Sequence, residues 1–176
     1  MKALLLSILC LIGSFTSHAA EDAAVQVARE HLKSLVTANA ESLKKSYAPE
    51  VVLMPGHEFL KPDYGLANDE ERKVAVKVTC DALIAEIVKK AAGRPGPPQE
   101  KLDAMLSALR FEALEAKEGD LALEASDEVA TPDGKLHFTI RNEDTVLKVV
   151  QPKGDFGLLH LRKADDRWVI VSEYLD

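Results

Sequence analysis

The chain is poor in aromatic residues: five Phe, three Tyr and one Trp among 176 positions. A core must therefore be built mainly from aliphatic side chains, and each aromatic carries unusual weight. Cysteine is scarcer still, with Cys10 and Cys80 the whole supply. The histidines are scattered, with no His-x-x-x-His and no paired-cysteine spacing, so the familiar metal patterns are missing. There is no Gly-x-Ser-x-Gly nucleophile turn. The Gly93–Pro98 run lacks the lysine and the Ser/Thr of a phosphate-cradling loop. No metal and no cofactor is expected. Positive charge is also short: Lys and Arg number 22 against 29 Asp and Glu, a formal net charge of −7. No Lys/Arg cluster offsets this, so the electrostatic footprint of a nucleic-acid binder is absent. So is a basic amphipathic face for anionic membranes.

Long apolar runs are lacking as well. The N-terminal run from Ala3 to Ile12 falls short of the roughly 20 apolar residues that a spanning helix needs. Lys2 precedes it and Ser17-x-Ala19 follows it, which is the pattern of a cleavable secretory signal. Residues 1–19 are read as a signal peptide cut after Ala19, and residues 20–176 as a single domain. The predicted address is secreted or periplasmic, with no stable membrane insertion after cleavage. Cys10 lies inside the apolar run behind the bulky Leu9, which argues against lipid attachment. Loss of Lys2 takes the formal charge from −7 to −8. Cys80 is then alone, so no internal disulfide forms; it is buried and inert or pairs between chains.

What is present is an ordered alternation of patterns. Ala23–Ala38 repeats apolar residues at helical spacing, with Asn39 fit to end it. Glu41–Tyr47 is a second, short helix stopped by Pro49. Val51–Met54 is a short strand closed by Pro55-Gly56. His57–Ala67 is a loop. Asp69–Ala92 is predicted as the longest helix, with Asn68 and Glu71 as its capping box and Val76, Cys80, Ile84, Ile87 and Ala91 in its buried stripe. The Gly/Pro run breaks it, and Gln99–Leu109 is one more helix. From Phe111 onward the texture becomes strands: Phe111–Lys117, Leu121–Ala130, Lys135–Arg141, Thr145–Gln151, Phe156–Lys163 and Arg167–Leu175. Helices followed by hairpin-linked strands predict an α+β domain with N-terminal helices packed on a curved antiparallel meander.

The last two strands anchor that reading. They form a hairpin around the charged turn Ala164–Asp166, and strict alternation puts Trp168, Ile170, Ser172 and Tyr174 on one face. Val169, Val171, Glu173 and Leu175 fall on the other. Both faces begin apolar, so both are expected to be covered.

The segment Ala38–Gly56, ANAESLKKSYAPEVVLMPG, together with His160–Asp176, resembles the nuclear-transport-factor-2-like superfamily, also called SnoaL-like or cystatin-like α+β cones. Leu43, Tyr47, Ala48, Pro49, Val51, Pro55, Gly56 and Trp168 carry the likeness. It implies a sheet curved around a long helix, with a pocket at the open end of the cone. Members include isomerases, dehydratases and epoxide hydrolases, as well as proteins that only bind ligands or partners, often as dimers through the outer sheet face. Two departures stand out: Asn39-Ala40 replaces the usual Gly-Asp corner, and Gln99–Leu109 is an extra helix placed to cover the pocket mouth.

On that frame His31, Tyr47, His160, Trp168 and Tyr174 are the candidate pocket residues, with His57 and Tyr64 at the mouth. Each has a plain structural reading beside it. His31 is an acid/base or a buried histidine held by one hydrogen bond. Tyr47, Trp168 and Tyr174 wall a pocket or fill a core. Asp81 and Glu173 are the carboxylates nearest to apolar faces. Asp81 is expected to pair with Lys77 and Glu173 to be exposed, and neither has a companion that sequence can place. No catalytic residue is assigned. The resulting expectation is a non-catalytic domain that binds a small apolar ligand or a protein partner and forms a homodimer through the outer sheet face. The alternatives are a small-molecule isomerase, dehydratase or hydrolase using pocket His and Tyr, or an accessory module of an envelope complex.

Overall fold

The computed structural model describes residues 22–53, 75–114, 118–124, 135–152 and 156–175. Helix α1 covers 22–37. Ala38 follows in the left-handed region (φ 48°) while the Asn39 N–H donates to the Ser34 carbonyl, a standard helix stop. Asn39 does not end α1. Its side chain accepts from the Ser42 N–H and so starts α2, Ala40–Ser46. Strand β1, Tyr47–Leu53, follows directly.

The predicted long helix Asp69–Ala92 is shorter. Val76–Thr79 is strand β2, paired antiparallel with β1 from Glu50↔Thr79 to Leu53↔Val76. Helix α3 is Cys80–Ala91, and the Thr79 hydroxyl caps it by accepting from the Ala82 N–H. Val76, Val78 and Thr79 are β-branched, and stiffness at that position suits a strand better than a helix. The proposed Asn68–Glu71 cap lies outside the described residues. Helix α4 is Gln99–Ala108. The remaining strands are β3 (Arg110–Leu114), β4 (Gly119–Glu124), β5 (Lys135–Ile140), β6 (Thr145–Val150), β7 (Phe156–Ala164) and β8 (Arg167–Leu175).

Six strands form one sheet in the order β2-β1-β8-β7-β6-β3. The β1–β8 pair is parallel and the others antiparallel. This departs from a simple meander, because β3 pairs with β6 and the β4–β5 hairpin leaves the sheet. That hairpin supplies Leu136, Phe138 and Ile140 to a core shared with Val52, Val169 and Val171 on the sheet's outer face. The outer-face residues Val52, Val169 and Val171 are thus covered within the chain. The β7–β8 hairpin is as predicted. Asp165 and Asp166 both have positive φ, 48° and 63°, which matches a two-residue turn to the strand twist.

One irregularity governs the site. Across β7 and β8, Leu161 pairs with Ile170 but His160 pairs with Ser172, so Val171 is an extra residue. A bulge re-aims the side chains beyond it and bends the sheet. Glu173 therefore joins Trp168 and Ile170 on the inner face, and Ser172 and Tyr174 turn to the outer one, reversing the predicted phase past Ile170. The helix lying in the hollow is α1, whose Ala24, Ala28 and His31 are wholly buried, rather than α3, where only Cys80 and Ile84 are buried. Cys80 and Trp168 nonetheless share that inner core with Tyr47, Leu159 and Ile170. Burial first, and then the nearby Asp81, push the Cys80 thiol up, so it stays protonated and unreactive. Asp81 pairs with Lys44 at 2.8 Å, and Lys77 pairs with Glu50 at 2.6 Å, in place of the predicted Lys77–Asp81 pair.

Candidate functional site

Three features on the two sides of the sheet bear on function. The first is a cavity of about 350 Å³ between α1, α4 and the sheet. Leu32, Leu35 and Val36 of α1 form one wall, Met105 and Leu109 the other, and Val149, Gln151 and Gly157 the floor. Helical spacing brings the α1 residues to one side, since 32, 35 and 36 are near neighbours on a helix surface. Val149 and Gly157 are cross-strand partners, and Gly157 offers no side chain to fill the space above them. Val36 and Met105 are solvent-exposed, which places the opening between the two helices. Gln151 is the one polar side chain among those residues. The extra helix thus walls the cavity.

The second feature is a sealed polar cluster beside it. Tyr47 donates to Glu173 Oε1 at 2.8 Å, and His31 Nε2 lies 3.1 Å from Glu173 Oε2. His31 Nδ1 is 2.9 Å from Ser46 Oγ, which itself donates to the Leu43 carbonyl at 3.0 Å. The two ring nitrogens of His31 thus join the Ser46 hydroxyl to the Glu173 carboxylate, and the tautomer sets which of the two it donates to. The His31 and Tyr47 rings pack edge to face, 4.7 Å between centroids. Burial, and after it the Glu173 charge, push the Tyr47 hydroxyl far above its usual range, so it remains a donor. His31 is wholly buried and Glu173 nearly so. Gly157 on the cavity floor and Leu159 opposite Glu173 sit two residues apart on one face of β7. Leu159 is fully buried and does not line the cavity.

The third feature lies on the outer face. Asp144, in the turn after β5, accepts from His160 Nε2 at 2.8 Å, from Arg162 Nε at 2.9 Å and Nη2 at 2.7 Å, and from the Arg141 N–H at 3.0 Å. Burial alone would raise its carboxyl. The bonds from Arg162, His160 and the Arg141 amide outweigh that and hold it well below the usual carboxylate range. Arg162 also donates to the Thr139 carbonyl at 2.6 Å, and Phe138 packs edge to face on His160. This group clamps the β4–β5 hairpin onto the sheet.

The sequence-predicted residues are therefore divided. His31 and Tyr47 come together, joined by a glutamate expected to be exposed. His160 and Tyr174 lie on the opposite face, Tyr174 packing on Leu158. Trp168 sits in the inner core with Lys163 Nζ 5.6 Å from its ring centre. None of these five lines the cavity. His57 and Tyr64 lie outside the described residues. Among the described residues no three His, Cys, Asp or Glu side chains gather as a metal site. Sequence reasoning missed the cavity residues, Ser46, Asp144 and Arg162. The alternation of His160 and Arg162 on one face of β7, with Asp144 ending the turn before the neighbouring β6, was the available sign of the outer cluster.

The chain folds as an α+β cone. This is the architecture that the resemblance in its sequence implies. No family model and no curated protein matches the chain. Among solved structures, a five-substitution variant named Rd1NTF2_05 aligns at 10% identity over 87% of this cone and 96% of its own chain, with a TM-score of 0.36. A calcium/calmodulin dependent protein kinase II association domain from Xanthomonas campestris aligns at 12% identity over 88% and 83%, with a TM-score of 0.31. At those scores neither match carries an argument about the site of this cone.

Proposed function

We propose that this chain is a secreted or periplasmic, non-catalytic binding domain whose cavity between α1 and α4 takes a small apolar ligand. The observation that carries this is the cavity itself: about 350 Å³, walled by Leu, Val and Met, with a single polar side chain on its floor. Small-molecule sites are typically concave and mostly apolar, with few polar groups, and begin near this volume. The test is native mass spectrometry of protein purified from the periplasm or medium. A co-purifying apolar small molecule is expected in the wild type and its loss in Gly157→Leu, which fills the floor. Equal ligand content in both proteins sinks the reading.

The enzyme alternative has one observation in its favour, the His31–Glu173 pair with Tyr47 as a third member. A general base must come within hydrogen-bond reach of its substrate, directly or through one water. Here the pair is buried and neither member lines the cavity, which supports a structural role for the cluster. Turnover of a cavity-bound compound that disappears in Glu173→Gln, with binding retained, would reverse the order of the two readings.

A further inference from the structure

We infer that the cavity's ligand carries a carboxylate head, received by Arg29; the inference rests on the binding role proposed above and specifies the chemistry of the ligand. Three independent links place the Arg29 guanidinium at the cavity's edge. Along α1, Arg29 is one turn from Leu32 and two turns from Val36, on nearly the same line of the helix. Across the gap, its Nη1 donates to the Leu106 carbonyl at 2.7 Å, and Leu106 directly follows the cavity residue Met105. Beneath it, the guanidinium carbon is 4.8 Å from the centre of the Phe111 ring, and Phe111 is the cross-strand partner of Val149 on the cavity floor.

Arg29 is half-buried, and among the described residues its hydrogen bond to the Leu106 carbonyl uses one of five donors, at the last turn of α4. No carboxylate pairs with it among the described residues, although the chain carries 29 Asp and Glu. The other half-buried arginine in an ordered cluster, Arg162, has Asp144. The remaining donors of Arg29 form a planar fork, which matches a carboxylate's two oxygens. A phosphate monoester head would bring close to two negative charges. One guanidinium suits the singly charged head better. The ligand is thus an amphiphile: apolar body under α1 and α4, acid head at Arg29.

The test compares decanoate, decanol and decyl phosphate by isothermal titration calorimetry on protein expressed from the full sequence. The wild type should bind decanoate about tenfold or more tighter than decanol, as expected for a hydrogen bond to a charged group. Arg29→Gln should collapse that ratio toward one, and Arg29→Lys should keep part of it, with thermal unfolding confirming that both variants are folded. A ratio unchanged in Arg29→Gln, with both probes still binding, overturns the role of Arg29 and leaves the apolar cavity reading standing. Decyl phosphate binding about tenfold tighter than decanoate overturns the choice of head. If neither decanoate nor decanol binds the wild type, this inference and the cavity reading fall together.

Discussion

Two histidine–carboxylate pairs sit back to back across strands β7 and β8, and they are built from opposite materials. The outer pair, His160–Asp144, has a guanidinium locked into it, with Arg162 giving the carboxylate two further bonds. The inner pair, His31–Glu173, is completed only by hydroxyls, those of Tyr47 and Ser46. The outer cluster balances its charge and ties a hairpin to the sheet. The inner one ties α1, the α2–β1 junction and β8 together through neutral donors. A buried charge without a partner is expensive, whereas a neutral donor lost from a network costs far less. The two clusters should therefore break differently.

The largest effect belongs to the outer cluster. Asp144→Ala leaves Arg162 and His160 without their anion, and a loss of about 3–5 kcal/mol of folding stability is expected in urea unfolding. A loss below about 1 kcal/mol would mean that the clamp is decorative. The pH response separates the clusters next. The Asp144 carboxyl is held below its ordinary value of 3.8, so its contribution is fully present above that value and is lost as pH falls beneath it. Stability measured downward from pH 5 should drop, and Asp144→Asn should flatten that slope. For the inner cluster, Glu173→Gln keeps the shape and removes the charge, at an expected cost of about 1–3 kcal/mol. Tyr47→Phe removes one donor only, for about 1 kcal/mol, and less again if measured on top of Glu173→Gln. Additive costs there would show that the hydroxyl and the carboxylate do not work as one unit. The exposed Lys44–Asp81 pair marks the floor of the scale: Lys44→Ala should be indistinguishable from wild type.

Much of this was legible in the sequence. The helices-then-strands order and the terminal hairpin with its turn within Ala164–Asp166 follow from local pattern, while the packing of Tyr47 was implied by the family resemblance and the residue opens β1 rather than ending a helix. The inner cluster did not, and the cause is Val171. A bulge inserts one residue without any change in composition, so strict alternation assigned Glu173 to the wrong face, and its place near the chain end suggested exposure. The second miss was Val76–Thr79. Its apolar residues fit a helical stripe and a strand equally well over four residues, and only pairing with β1 decides between them. The third was the β4–β5 hairpin. Local pattern gives strands but not partners, so it could not show that β3 reaches past that hairpin to β6. The cavity was invisible for a related reason: its floor is the missing side chain of Gly157, made meaningful only by Val149 opposite and α4 above.

The placement of β8 beside β1 has a consequence for biosynthesis. The first strand made must wait for the last before its second edge is covered, so sheet closure depends on a contact spanning more than a hundred residues of ribosomal output. Contacts so distant in the chain form slowly. Until they do, the groups around α1 have no lid, and His31 and Tyr47 face water in place of Glu173.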